Sequence, residues 1–440
     1  MSDHIMDIKK SWLYHPIFPH HWKRQALYSL AEWVNGLAFR NIQFSESGLP
    51  VIKIAEIKGG ISAQTKFTQQ SFDESVRVNP GDMLFSWSGQ PETSIDVFWW
   101  NGPEGWLNQH IFRVTPAECI DRTFFYYLLK YLRPNFIAIA SNKQTTGLGH
   151  VTKRDLENIE VGYPDPTEQQ AIACILGALD DKIELNRRRN RTLEAMARAI
   201  FQSWFVAFDP VQAKAAGRTP PGLSPALAAL FPDRFEDSPL GPIPAGWRVG
   251  TVGDNFRLTM GQSPPGETYN EIGEGIPFYQ GRTDFGFRFP NRRVYCTAPT
   301  RMAEPGDTLV SVRAPVGDVN IAIERCAVGR GVAAVRHVRG SRSLTYHGMH
   351  NLGSHFKAFE AEGTVFGSIN KTDFAKLPFI ESTSNVIEAF DRMVSPLDDQ
   401  VEMLEKESRT LAALRDALLP KLISGELRVP DAERIVGRAM

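Results

Sequence analysis

Apolar residues recur at alternating steps of four and three through Ile172, Leu176, Leu179, Ile183, Asn186, Asn190, Leu193, Ala197, Ile200 and Trp204, with asparagines at two middle positions. That alternation is the heptad stripe of one long helix. A second stripe runs through Phe390, Val394, Leu397, Val401, Leu404, Ser408, Leu411, Leu414, Leu418 and Leu422, slipping once near Leu414. The two align without a gap at an offset of 218: Leu179-Asp180-Asp181 falls on Leu397-Asp398-Asp399, Glu184 on Glu402, and Arg191-Thr192-Leu193 on Arg409-Thr410-Leu411. Two like stripes in one chain can bury themselves on each other, so the pattern predicts an antiparallel helix pair. The 33 residues from Ile172 to Trp204 span roughly 50 Å as a helix. Asn186, Asn190 and Ser408 weaken the middle of the seam but can set its register. Periodicity alone fits a generic helical hairpin equally well.

Outside the stripes the period shortens. The runs Leu49 to Ile54, Asp82 to Trp87 and His110 to Val114 are short, apolar and bounded by Gly, Pro or Asn, and read as strands. Thr123 to Leu132 reads as a helix, and Thr167 with Gln170 as the capping box that opens the first long helix. This first pattern then returns. Trp22, Gly36 and Gly81-Asp82 recur as Trp247, Gly261 and Gly306-Asp307 at an offset of 225, and Gly149, Lys153 and Asp155 as Gly367, Lys371 and Asp373 at 218. The expected fold is therefore α+β: an internal duplication with two similar globular domains joined by two long antiparallel coiled-coil helices. The expected boundaries are 1–165 (with 1–20 a lead-in), helix 166–208, linker 209–243, second domain 244–382, helix 383–427 and tail 428–440. The segment 209–243 holds seven prolines and reads as extended, with one short helical turn. Frameworks repeat while the loops between them differ, as in a scaffold whose two copies recognise different things.

Composition adds mostly exclusions. A net charge of −1 gives no global field toward nucleic acid, so any such binding is local. The four scattered cysteines, Cys119, Cys174, Cys296 and Cys326, predict a reducing cytoplasm and no structural zinc. No leader and no apolar run of spanning length is seen, which predicts a soluble, cytoplasmic protein. There is no P-loop, no Asn/Asp-Pro-Pro-aromatic methyltransferase motif and no nuclease metal pattern, so the chain is expected to catalyse nothing and to hold no metal or cofactor. His347, His350 and His355 read as a surface helix rather than a metal cluster.

What remains points to DNA. The second globular region is rich in arginine from Arg282 to Arg342, and arginine suits bidentate contact with guanine or phosphate. Tyr279-Gln280-Gly281-Arg282 sets an amide and a guanidinium beside a glycine, and Arg313 follows an apolar run at an expected strand end. The candidate DNA-binding residues here are Gln280, Arg282, Arg313 and Arg330; Gln280 and Arg282 are expected to read bases, and most arginines from 288 to 342 to contact phosphate or solvent. In the first region the candidates are Lys53, Trp87, Ser88, Gln109, Lys143 and Gln144. For each single arginine, a solvated surface position is the competing reading.

Asn108-Gln109-His110, the two Leu-Asp-Asp helices, Phe208-Asp209-Pro210, Leu230 to Phe235, Pro244 to Trp247 and Pro420 to Leu427 occur in an order that resembles the specificity subunit of Type I restriction–modification systems, over nearly the whole chain. The resemblance implies two target-recognition domains, each reading half of a split duplex-DNA site, and helices that act as ruler and dock. The implied partners are two modification subunits and restriction subunits, which would carry S-adenosylmethionine, ATP and Mg. Leu179, Asp180, Asp181, Ile183, Leu397, Asp398, Asp399 and Val401 are the candidate docking residues. A non-DNA scaffold holding two ligand-binding domains, and a methyltransferase with disguised motifs, are the alternatives.

A ruler made of helix has a direct test. With a stripe of roughly 50 Å, half-site centres are expected on the order of 9–15 base pairs apart. Whole heptads inserted after Asn190 and Ser408 should lengthen the unspecified gap in the methylated motif and leave both halves unchanged. An assembled, active complex with an unaltered gap would show that the helices are not the ruler.

Overall fold

The computed structural model describes residues 16, 18–40, 43–144, 147–360 and 367–437. Two compact units form, and the division runs through both long helices: one unit ends at Asn186 and resumes at Lys406, and the other is Arg187–Glu405. Of the expected lead-in, residues 1–15 and 17 lie outside the described residues.

In the first unit the main sheet is antiparallel, in the order Ala31–Asn35, Ile111–Pro116, Met83–Ser86, Asp96–Trp99. Phe85 and Val114 face the helix Arg122–Tyr131, whose Phe124, Phe125 and Leu128 are buried with them. That helix forms because Asp121 caps it, accepting from the amides of Thr123 and Phe124. Leu49–Ile52 is a strand as the apolar run predicts, and it runs parallel to Gly105–Leu107. Lys23–Ala26 pairs with Glu160–Tyr163 and closes the unit just before the long helix.

The first long helix is Pro166–Phe205. Its cap is Asp165, whose carboxylate accepts from the amides of Thr167 (2.9 Å) and Glu168 (3.1 Å), and not the expected Thr167–Gln170 box. An aspartate before Pro166 satisfies the first free amides with a charged acceptor, which the neutral threonine does less well. Within this unit Ile172, Leu176, Leu179 and Ile183 are buried together with Leu411, Leu418 and Leu422 of the second long helix, Ser384–Ile423. Asp180 meets Arg415 and Asn186 meets Glu407, so the two segments run antiparallel.

The second unit repeats the strand order: Phe256–Met260, Val332–His337, Thr308–Val312, Val316–Ile321, all antiparallel. Ile276–Tyr279 runs parallel to Cys326–Val328, and Arg248–Thr251 pairs with Pro378–Glu381. The helix Arg342–Asn351, capped by Ser341, covers the sheet. The long helices run antiparallel here too: Asn190 donates to Glu405 (2.9 Å) and the Trp204 ring lies 6.1 Å from Phe390. Asn186 and Asn190, the polar positions of the stripe, are both buried, each with its amide nitrogen bonded to a glutamate.

Two expectations fail. Residues 209–243 are not an extended linker: they hold the helices Asp209–Ala215 and Pro225–Ala228 and a short hairpin, and Val211, Phe231 and Ile243 are buried against Trp204 and Phe390. Two of the prolines, Pro210 and Pro225, start these helices, which the missing amide permits at a first turn. Nor is the helix that carries His347 and His350 a surface one, although His355, on the following helix Gly353–Lys357, is exposed. Ser343 to Met349 are buried, and burial with the nearby Arg198 charge pushes His350 down to about 3. Among the described residues no cluster of metal-ligating side chains occurs.

In the second unit Arg288 is 1% exposed and reaches both long helices, donating to Glu194 (2.9 Å) and Asp398 (2.5 Å) above the Tyr346 ring. It therefore contacts neither phosphate nor solvent. Burial would raise the Asp398 carboxyl, but His347, the Arg288 charge and the Ser343 hydroxyl together hold it below the usual carboxylate range. Removing one partner of such a pair strands the other. Arg288→Ala should cost about 3–5 kcal/mol in chemical denaturation of this unit. Arg325→Ala, which loses only an exposed pair with Glu304 (3.2 Å), should stay within about 1 kcal/mol. Equal effects of the two would show that the buried carboxylates are readily rehydrated.

Candidate nucleic-acid interface

Five backbone hydrogen bonds build one loop frame, and each unit has the full set. In the first unit Asn108 N donates to Ile52 O (3.1 Å), Leu37 N to Leu107 O (2.8 Å), Gly36 N to Ile111 O (3.2 Å), Trp87 N to His110 O (3.2 Å) and Val151 N to Trp87 O (2.9 Å). In the second unit Gly329 N donates to Tyr279 O (2.8 Å), Gln262 N to Val328 O (3.0 Å), Gly261 N to Val332 O (2.9 Å), Val312 N to Gly331 O (2.9 Å) and Ile369 N to Val312 O (3.0 Å). Satisfied backbone groups fix the loops independently of the side chains they carry. The glycines are needed for the approach. A Cβ at Gly36 would lie 2.2 Å from the Asn108 carbonyl oxygen, and one at Gly261 would lie 2.1 Å from that of Gly329.

The frame sorts the candidates into pairs. Lys53 follows Ile52 as Gln280 follows Tyr279. Ser88 follows Trp87 as Arg313 follows Val312. Gln109 follows Asn108 as Arg330 follows Gly329. Each pair occupies one position with different chemistry. Sequence reasoning missed a further pair: His150 precedes Val151 as Ser368 precedes Ile369, and Ser88↔His150 and Arg313↔Ser368 are both cross-strand bridges. The repeat of Gly149 on Gly367 was the available signal, since each lies one residue before this position.

In the first unit the frame carries a packed polar cluster. The Trp87 ring meets His110 and His150 edge-on and lies tilted against Phe112, and its indole N–H donates to Asn35 (3.0 Å). Ser88 shares a hydrogen bond with His150 Nδ1 (2.8 Å). Burial, with His150 nearby, keeps His110 below the usual imidazole range, so the Gln109 amide, 3.3 Å away, donates to a neutral ring. Lys53 lies over the Phe44 ring (5.0 Å). Gln144 bonds the Gly147 carbonyl (3.2 Å) in the adjoining loop. Lys143 is committed elsewhere: its ammonium pairs with Asp155, which caps the helix Lys153–Asn158, so it is a structural residue.

In the second unit ion pairs discriminate among the arginines. Arg282, Arg292, Arg293, Arg325, Arg336 and Arg342 are paired with carboxylates; for Arg282 the partner is Asp318, at 2.8 Å. Arg313 and Arg330 are exposed, stand on the frame and have no acidic partner among the described residues.

The candidate docking residues are mostly internal. Leu179, Ile183, Val401 and Asp398 are buried within their own units, and Asp180 is held by Tyr127 (2.7 Å) and Arg415. The stripe faces inward, so its residues cannot also face a partner. Leu397 is half-buried against the second unit's aromatic cluster; Asp181 is exposed, and Asp399 is exposed but paired with Arg342 (2.6 Å). The helices' exposed apolar residues are instead Leu185, Met196 and Met403.

Residues 19–195 match the Type I restriction modification DNA specificity domain. Over 426 residues the chain is 26% identical to the MjaX specificity subunit of Methanocaldococcus jannaschii, covering 93% of this chain and 95% of that one. It is 26% identical over 410 residues to the HindI specificity subunit of Haemophilus influenzae, covering 80% and 87%. Its fold is that of the crystal structure of a Type I restriction-modification S subunit from M. genitalium, with a TM-score of 0.55 at 18% identity over 92% of this chain and 96% of that one. Residues 19–195 thus resemble a Type I restriction modification DNA specificity domain, and most of the chain is similar to specificity subunits of Type I restriction enzymes.

The frame's own glycine gives a check. Gly261→Ala forces a methyl into backbone oxygens and should cost about 1–3 kcal/mol in thermal stability, with loss of sequence selection by the second unit. Gly281→Ala, which meets nothing within 4 Å, should do neither. Indistinguishable variants would show that the frame yields freely.

Proposed function

We propose that this chain reads a bipartite, asymmetric duplex-DNA target, one half with each loop frame, and scaffolds modification and restriction subunits in the cytoplasm. The observation that carries this reading is one backbone frame built twice with unlike side chains: Lys53, Ser88 and Gln109 against Gln280, Arg313 and Arg330. A shared frame offers base edges the same approach, and unlike side chains ask for different bases. That supports two half-sites of different sequence. The globular parts with their frames are the two target-recognition domains of a duplicated chain.

The long helices are the docking surface, through the exposed Leu185, Met196 and Met403 rather than the buried stripe. Arg282 stays a candidate base reader, although it must first leave Asp318. Methyl transfer, ATP hydrolysis and cleavage belong to the partners, which would bring S-adenosylmethionine, ATP and Mg. No helix of the described residues is long and apolar enough to cross a membrane.

In the complex with modification subunits, Arg330→Ala should relax one base pair of one half-site by about 1–3 kcal/mol, and Gln109→Ala one base pair of the other. Selection from random duplexes followed by sequencing reads both. Uniform weakening across all sequences in both variants would place these side chains on phosphate.

A further inference from the structure

We propose that the cross-strand pair beside each frame is a base reader, His150 in the first unit and Arg313 in the second, with Ser88 the positioning residue for His150. This rests on the DNA-reading function above and names residues for it. The strands Ser88–Gly89 and Gly149–His150 set Ser88 directly opposite His150, and the hydroxyl lies 2.8 Å from Nδ1. The imidazole is held edge-on to Trp87 (centroids 6.0 Å, planes 60° apart), and Trp87 is itself anchored by Asn35. One nitrogen and the ring plane are thereby fixed. The other nitrogen, Nε2, has no partner among the described residues and is not sealed from solvent.

In the proposed arrangement the Ser88 hydroxyl donates to Nδ1, which leaves the proton on Nε2. The ring then presents one donor at a set angle, which suits an acceptor on a purine edge in the major groove, N7 or guanine O6. Across the matching bridge of the second unit the order is reversed. The long side chain, Arg313, stands on the first strand position and the short one, Ser368, on the second. Each unit thus offers one long hydrogen-bonding side chain and one serine at the same place. Arg313 brings a fork of donors where His150 brings one, so its purine preference narrows to guanine.

The test is base selection from a random duplex pool by the full chain with its modification subunits. His150→Ala should flatten one purine column of one half-site by roughly tenfold, leaving the other columns intact. His150→Gln, which keeps a donor at the reach of Nε2, should retain most of the preference. Ser88→Ala should weaken that same column, and Ser88→Thr should restore it. Arg313→Ala should flatten a column of the other half. An unchanged column in His150→Ala, or an equal loss at every position, overturns the proposal while leaving two-part recognition standing. A wild-type complex that selects no sequence overturns both.

Discussion

Each globular part is tied to the long helices by one carboxylate at a repeated position. Asp180 takes the hydroxyl of Tyr127 and the guanidinium of Arg415, and Asp398 takes the hydroxyl of Ser343 and the guanidinium of Arg288. Tyr127 and Ser343 lie on the helices that cover the two main sheets. A carboxylate as buried as Asp398 is costly unless it is fully bonded, and its stranded charge punishes any shift of the helix that bonds it, whereas Asp180 is only half-buried. Apolar packing alone would allow those helices to slide or roll by small steps. The Leu of each Leu-Asp-Asp supplies burial, and the first Asp supplies the position. The donors are not repeated: the arginine comes from a long helix in the first unit and from a loop in the second.

The same division of labour holds at the loops. Backbone amides and carbonyls make the frame, two glycines allow its closest approach, and the side chains are left over for recognition. Change can accumulate at positions such as 53, 88, 109 and 150 without disturbing the hydrogen bonds that hold them. Commitment to the fold also explains why so few of the arginines are candidates. Most neutralise carboxylates of their own unit, and Arg288 is interior.

The helices, their antiparallel sense and the strand-rich repeats were legible because period and offset are local, countable properties. Most positions of the stripe are buried, including its two asparagines, while Leu193, Ile200, Leu397, Ser408 and Leu414 are half-buried. What was misread has one common cause. Sequence shows which residues are polar but not what they face. The stripe was assigned to partner docking although it is spent on the chain's own interior, and Lys143 was taken for a DNA contact although Asp155 holds it. Residues 209–243 read as linker because every proline counts as a break, although Pro210 and Pro225 stand at helix starts. His150 was missed because its meaning depends on a cross-strand neighbour 62 residues away. The family resemblance rests on short strings in order, whereas pairing position with position between the two units needed the backbone hydrogen-bond frame.

The central claim is that both frames present side chains to DNA in equivalent positions. The most direct measurement is the methylated motif written by a chain carrying Lys53→Gln, Ser88→Arg, Gln109→Arg and His150→Ser together, assembled with its modification subunits. The account predicts that the half-site read by the first unit shifts toward the bases specified by the second, with the second half unchanged. An assembled, active complex that still writes the original motif in both halves would contradict it.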